Sequence, residues 1–123
     1  MDIESFHNFC LNLRGVSQEF PFDNRTLVYK VMGKMFALAD VEEFDSVNLK
    51  CNPEKAIELR ERYPAVIPGH HMHKKHWNTV IFDGSISDNL IKDWILESYF
   101  LVVSGLPKKI REEWARLPEQ INQ

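Results

Sequence analysis

The chain is poor in the residues that usually advertise chemistry. It has two cysteines, Cys10 and Cys51, in 123 residues. They stand in neither a CxxC nor any other zinc-ligand spacing, so there is no signature of a cysteine-built zinc site. The five glycines are scattered as turn and cap residues, which leaves no glycine-rich phosphate loop. Ser85, Ser87, Ser98 and Ser104 lie in no nucleophile elbow. No apolar run is long enough to span a bilayer, and the opening MDIESFHNFC lacks the basic stretch and apolar run of a secretory signal. The expectation is a cytoplasmic protein without membrane contact, its cysteines reduced and acting as small core residues. An excess of positive charge is missing too. The formal net charge is -3, whereas a free-standing nucleic-acid module is usually basic.

What is present is ordinary globular material, 44% apolar and 27% charged, enough for one core without staples. The length predicts a single domain over 1–117 with a flexible tail, 118–123. Ile3, Phe6, Cys10 and Leu13 recur at helical spacing. SQEFPFDNR reads as an extended stretch and a turn. Leu27–Met32 and Met35–Ala39 read as a hairpin turning at Gly33-Lys34, and Asp40–Asp45 as an exposed acidic loop. Ser46–Cys51 alternates cleanly as a third strand. Asn52-Pro53 opens a helix as cap and first residue, and Pro64 ends it after Tyr63. Ala65–Gly69 reads as a loop, His71–His73 as a short strand and His76–Phe82 as a longer one. A long helix starts near Ser87, striped by Leu90, Ile91, Trp94, Ile95, Ser98, Leu101 and Val102, and stops at Gly105. Pro107 opens a last helix, Lys108–Leu117. The predicted architecture is α+β in two layers, with a largely antiparallel sheet. Its order is α-β(3)-α-β(2)-α with an additional short C-terminal helix, helices on one face and solvent on the other.

The densest chemistry lies between Gly69 and Gly84. His70, His71, His73 and His76 invite a metal, yet no carboxylate or cysteine stands nearby to complete a site, and Lys74 and Lys75 repel a cation. The reading is no metal and no cofactor, with His71 and His73 the weak candidates on one strand face. The same segment suits an anion better: two lysines and four histidines without an acid, with imidazoles that gain charge as the pH falls. Trp77 either stacks on a base or fills the core, the core being the commoner use. Lys34, at the hairpin tip, and Lys50, on the outer face of a strand, extend the patch; the plainer reading is that such lysines keep edges soluble.

These segments resemble the MmcQ/YjbR family of small bacterial proteins over roughly Ile3 to Trp114. The carriers are FPFDNRTLVYKVMGKMFAL, VNLKCNPEKAIELR and IPGHHMHKKHWNTVIFDGSISDNLIKDWILESYFLVVSGLPKK. Within them Gly33-Lys34-Met35-Phe36, Leu49-Lys50-Cys51, Pro68-Gly69, Lys75-His76-Trp77 and Ser98-Tyr99 follow in order. The resemblance implies the α-β(3)-α-β(2)-α fold and a DNA-binding role described as "double wing", with no cofactor and no reaction. The shared polar positions fall on Lys34, Lys50, Lys75 and His76, beside Trp77. Pro21-Phe22-Asp23 departs from the Pro-Phe-Gly of relatives.

The expected function is therefore DNA binding through phosphate contacts from Arg25, Lys34, Lys50, Lys74 and Lys75, with His76 and Trp77 beside them. The alternative is an adaptor or chaperone-like partner of an unidentified protein, presenting Phe100, Val103 and Trp114. An undiscovered enzyme or small-ligand binder built around His73, His76 and Lys50 is a third possibility. No catalytic residues are expected, and so no enzyme.

Overall fold

A computed structural model describes residues 1–69 and 72–119. The order is α1 (Ile3–Leu11), β1 (Val16–Glu19), β2 (Thr26–Val31), β3 (Lys34–Asp40), β4 (Ser46–Lys50), α2 (Pro53–Arg62), β5 (Val66–Pro68), β6 (Trp77–Ile81), α3 (Asp88–Ser104) and α4 (Lys108–Arg116). One six-stranded sheet runs β1-β2-β3-β4-β6-β5, and every pairing in it is antiparallel.

Local chemistry places the helices where the sequence reading puts them. The Asp2 carboxylate caps α1 by accepting the Ser5 N–H. The Asn52 side chain caps α2 by accepting from Glu54, with Pro53 in the first turn. The Ser87 hydroxyl caps α3. Each satisfies a backbone donor that would otherwise be left open at the helix start.

Three expectations about strands and turns are corrected. SQEFPFDNR is not merely extended: Val16–Glu19 pairs with β2 as an additional edge strand, so four strands precede α2. The fifth strand is Val66–Pro68, inside the segment read as a loop. Of the residues expected to form it, His73 is in no strand, and His71 lies outside the described residues. The hairpin turns at Met32-Gly33, both with positive φ (49° and 85°), and Lys34 is already the first residue of β3. That pair of angles suits a two-residue hairpin turn, whose twist matches the strands it joins. The expected tail, 118–123, lies outside the described residues from 120 onward.

The sheet's two faces are unequal. Tyr29, Val47, Leu49, Val66 and Val80 meet Phe6, Ile91, Ile95 and Tyr99 from the helices in the main core. The opposite face is not left to solvent as expected, because Val28, Leu38 and Trp77 are buried there in a second, smaller cluster with Met35 and Met72 packed against it. Helix α4 is held less by burial than by one tryptophan. Trp114 Nε1 donates to the Arg14 carbonyl at 3.1 Å and to the Tyr99 hydroxyl at 2.7 Å. Among the described residues no helix is long and apolar enough to cross a membrane.

Candidate functional site

The β3–β4 pairing is short. The ladder joins Ala37 to Leu49 and Leu38 to Asn48 and goes no further toward the hairpin tip. There the buried Ser98 hydroxyl of α3 steps between the strands. It accepts the Lys50 N–H at 2.9 Å and donates to the Phe36 carbonyl at 2.5 Å. One side chain thus satisfies two backbone groups that the ladder would have paired, which keeps their burial from being costly.

Beside this bridge lies a depression of about 420 Å³ with Lys34 and Met35 on one wall and Lys50 and Trp77 on another. Its remaining wall is the C-terminal end of α3, from Leu101 to Leu106. Lys50 and Trp77 are direct partners across β4 and β6. Lys74 and Lys75 are exposed in the turn that feeds Trp77 into β6. Among the described residues no carboxylate pairs with Lys34, Lys50, Lys74 or Lys75.

The turn is fastened from three sides. Cys51 N–H donates to the His76 carbonyl at 2.7 Å. Gly69 N–H donates to the Trp77 carbonyl at 2.8 Å, and an added Cβ on Gly69 would lie 2.7 Å from Trp77 Cβ, so only glycine fits. Arg60 of α2 bonds Asn78 Oδ1 at 2.7 Å and also reaches the Lys74 carbonyl. Asn78, itself buried, donates back to the Ala56 carbonyl. Arg60, Asn78 and Ser98 are thus positioning residues that sequence reasoning missed. Arg60 stands in a charged helix, ELRER, where nothing separates it from solvated neighbours, and Ser98 is one member of an apolar stripe.

Not every candidate joins this site. Arg25 sits at the far end of β2, a strand of six residues, or about 20 Å away at about 3.3 Å per residue. Its guanidinium meets Asp40 at 2.6 Å, Glu42 at 3.5 Å and Glu43 at 3.8 Å. The hydrogen bond from Arg25 holds the Asp40 carboxyl below the usual carboxylate range. This cation is already neutralised. His76 is half-buried, and its ring lies 5.1 Å from that of His73. Of the weak metal candidates, His71 is outside the described residues. Among those described, no three His, Cys, Asp or Glu side chains gather to hold a metal. Of the three apolar residues expected to serve a partner, Val103 is buried and Trp114 is half-buried and hydrogen-bonded, while Phe100 remains 52% exposed.

Fold and site together define a small α+β protein whose six-stranded antiparallel sheet carries at one end Lys34 and Lys50, without a carboxylate partner among the described residues, and compensated charge at the other. The chain belongs to the YjbR family, whose model matches residues 11–101. It is 38% identical over 114 residues to the uncharacterised protein YbdF of Escherichia coli O157:H7, covering 89% of this chain and 93% of that one. It is 34% identical over 113 residues to the uncharacterised protein YjbR of Escherichia coli K12, covering 91% and 96%. Among solved structures, a Deinococcus radiodurans protein with a DUF419 domain superposes with a TM-score of 0.86 at 35% identity, over 98% of this chain and 91% of that one. A Pseudomonas syringae protein shares the fold, with a TM-score of 0.69 at 23% identity, over 82% and 98%.

Proposed function

We propose that the protein is a non-catalytic binding module that holds the phosphate backbone of DNA through Lys34, Lys50, Lys74 and Lys75. The observation that carries this reading is the depression where Lys34 and Lys50 face each other without an acid, with the Lys74-Lys75 turn alongside. A net charge of -3 does not oppose it. The acids Asp40, Glu42 and Glu43 gather around Arg25 at the other end of β2, so the lysine end keeps its own local field. Trp77 is buried, so it shapes the wall and does not stack on a base. Phosphate binding of this kind gives affinity and orientation with little reading of sequence. The adaptor alternative keeps Phe100 alone of its three side chains.

The test is fluorescence anisotropy of a labelled duplex across a salt series. The expected result is salt-dependent binding that weakens about tenfold or more when Lys34, Lys50 and Lys75 are all changed to Gln. The slope of log K against log salt should flatten by roughly 0.9 for each phosphate no longer neutralised. Arg25→Gln should leave binding unchanged. Absence of a salt-dependent signal at low ionic strength would overturn the reading.

A further inference from the structure

The exit of α1, the second half of α3 and α4 frame a depression of about 630 Å³. Leu13, Tyr99, Phe100 and Trp114 give it apolar and aromatic walls, and Arg14 and Glu119 are its charged members. The volume is in the range of small-molecule sites, about 300–1,000 Å³, which are typically apolar with a few polar groups.

The polar atoms of the walls are already engaged. Trp114 Nε1 donates to the Arg14 carbonyl and to the Tyr99 hydroxyl, and that hydroxyl donates to the same carbonyl. The walls therefore offer ring faces and edges only. Phe100 presents the most, at 52% exposure.

The Arg14 side chain is different. Its guanidinium lies over the Trp114 ring, with Cζ 5.5 Å from the centroid. Among the described residues no carboxylate pairs with it. Its Nε is buried and has no hydrogen-bond partner. A charged donor shut away from water without an acceptor is costly. The stacked position is therefore under-satisfied. An anion in the depression draws the guanidinium outward, where Nε–H and an Nη–H can meet two oxygens together.

We infer that this depression binds a small aromatic monocarboxylate, its oxygens on the Arg14 guanidinium and its ring against Phe100 and Trp114. A carboxylate matches the planar fork of an arginine. An aromatic body suits walls that pack by edge and face. A single charge suits the site because Glu119 stands on the same rim and repels a second one. The site does not rest on the nucleic-acid reading, since Lys34, Lys50, Lys74 and Lys75 do not line it.

Trp114 supplies the readout, because Trp77 and Trp94 do not line the depression. The experiment titrates the full chain with naphthoate and follows the indole N–H and arginine Nε–H resonances by heteronuclear NMR. Saturable shifts are expected at Trp114 and Arg14, with Trp77 and Trp94 unmoved. The neutral naphthalenemethanol should bind about tenfold more weakly, as for loss of one charge-assisted pair. Arg14→Gln should weaken naphthoate about tenfold and leave naphthalenemethanol unchanged. That variant keeps the contacts that fasten α4, since they use the Arg14 carbonyl and not its side chain. Phe100→Ala should weaken both ligands. Lys75→Gln should alter DNA affinity and not naphthoate affinity. No saturable shift at Trp114, equal naphthoate affinity of parent and Arg14→Gln, or tighter binding of naphthyl phosphate than of naphthoate would overturn the proposal.

Discussion

The two ends of β2 and β3 carry cations in opposite circumstances. At the strand ends far from the hairpin, Arg25 is ringed by Asp40, Glu42 and Glu43 and fastens the acidic turn to the sheet. At the hairpin tip, Lys34 stands across a depression from Lys50 with no acid between them. The residue types are alike in charge; their neighbours differ. A cation that already holds three carboxylates has little field left for a ligand, whereas one kept apart from acids does. Candidacy for phosphate binding is therefore decided by tertiary placement, and Arg25 drops out on that ground alone.

Breaking the scaffold of the lysine end should have the largest effect. Ser98→Ala leaves the Lys50 N–H and the Phe36 carbonyl without their shared partner. A cost of about 3 kcal/mol is expected by denaturant titration, because unsatisfied buried groups forfeit about 1–3 kcal/mol each. Gly69→Ala comes next. Its Cβ collides with Trp77, and about 2 kcal/mol is expected from overpacking, read in the same titration. Both changes should also loosen the Lys50–Trp77 geometry, which heteronuclear NMR shifts at Lys50 and Lys75 would show. The smallest effect belongs to the compensated corner. Arg25→Gln removes the hydrogen bond that depresses the Asp40 pKa. That bond stabilises the fold above the unfolded carboxylate pKa, about 3.9, and its contribution fades as pH falls through the lower native value. The melting temperatures of parent and Arg25→Gln should thus differ slightly at neutral pH and converge in acid. A difference that grew in acid would contradict the pairing.

How much of this was legible in the sequence depended on whether an element announces itself locally. The α3 stripe, the Asn52-Pro53 helix start and the alternation of Val47 and Leu49 all state their burial within a few residues. β1 does not: of Val16–Glu19 only Val16 is buried, and the strand exists because β2 offers it an edge. β5 is three residues ending in proline, and it is a strand only through its partner β6. The lysines were readable as residue types, and the motif order marked Lys34, Lys50 and Lys75. That Lys34 and Lys50 share one depression was not readable, because it follows from the β3–β4 ladder stopping short and from Ser98 filling the gap. Gly69 shows the same division. Its place in the sequence is plain, but the reason for it is the Trp77 backbone eight positions on.

The Ser98 bridge also decides what the Lys50 amide proton reports. That proton is held by a side chain of α3 and not by the neighbouring strand, so its exchange with solvent follows the docking of the helix more than the integrity of the ladder. Lifting α3 from the sheet frees the proton even where the strands stay paired.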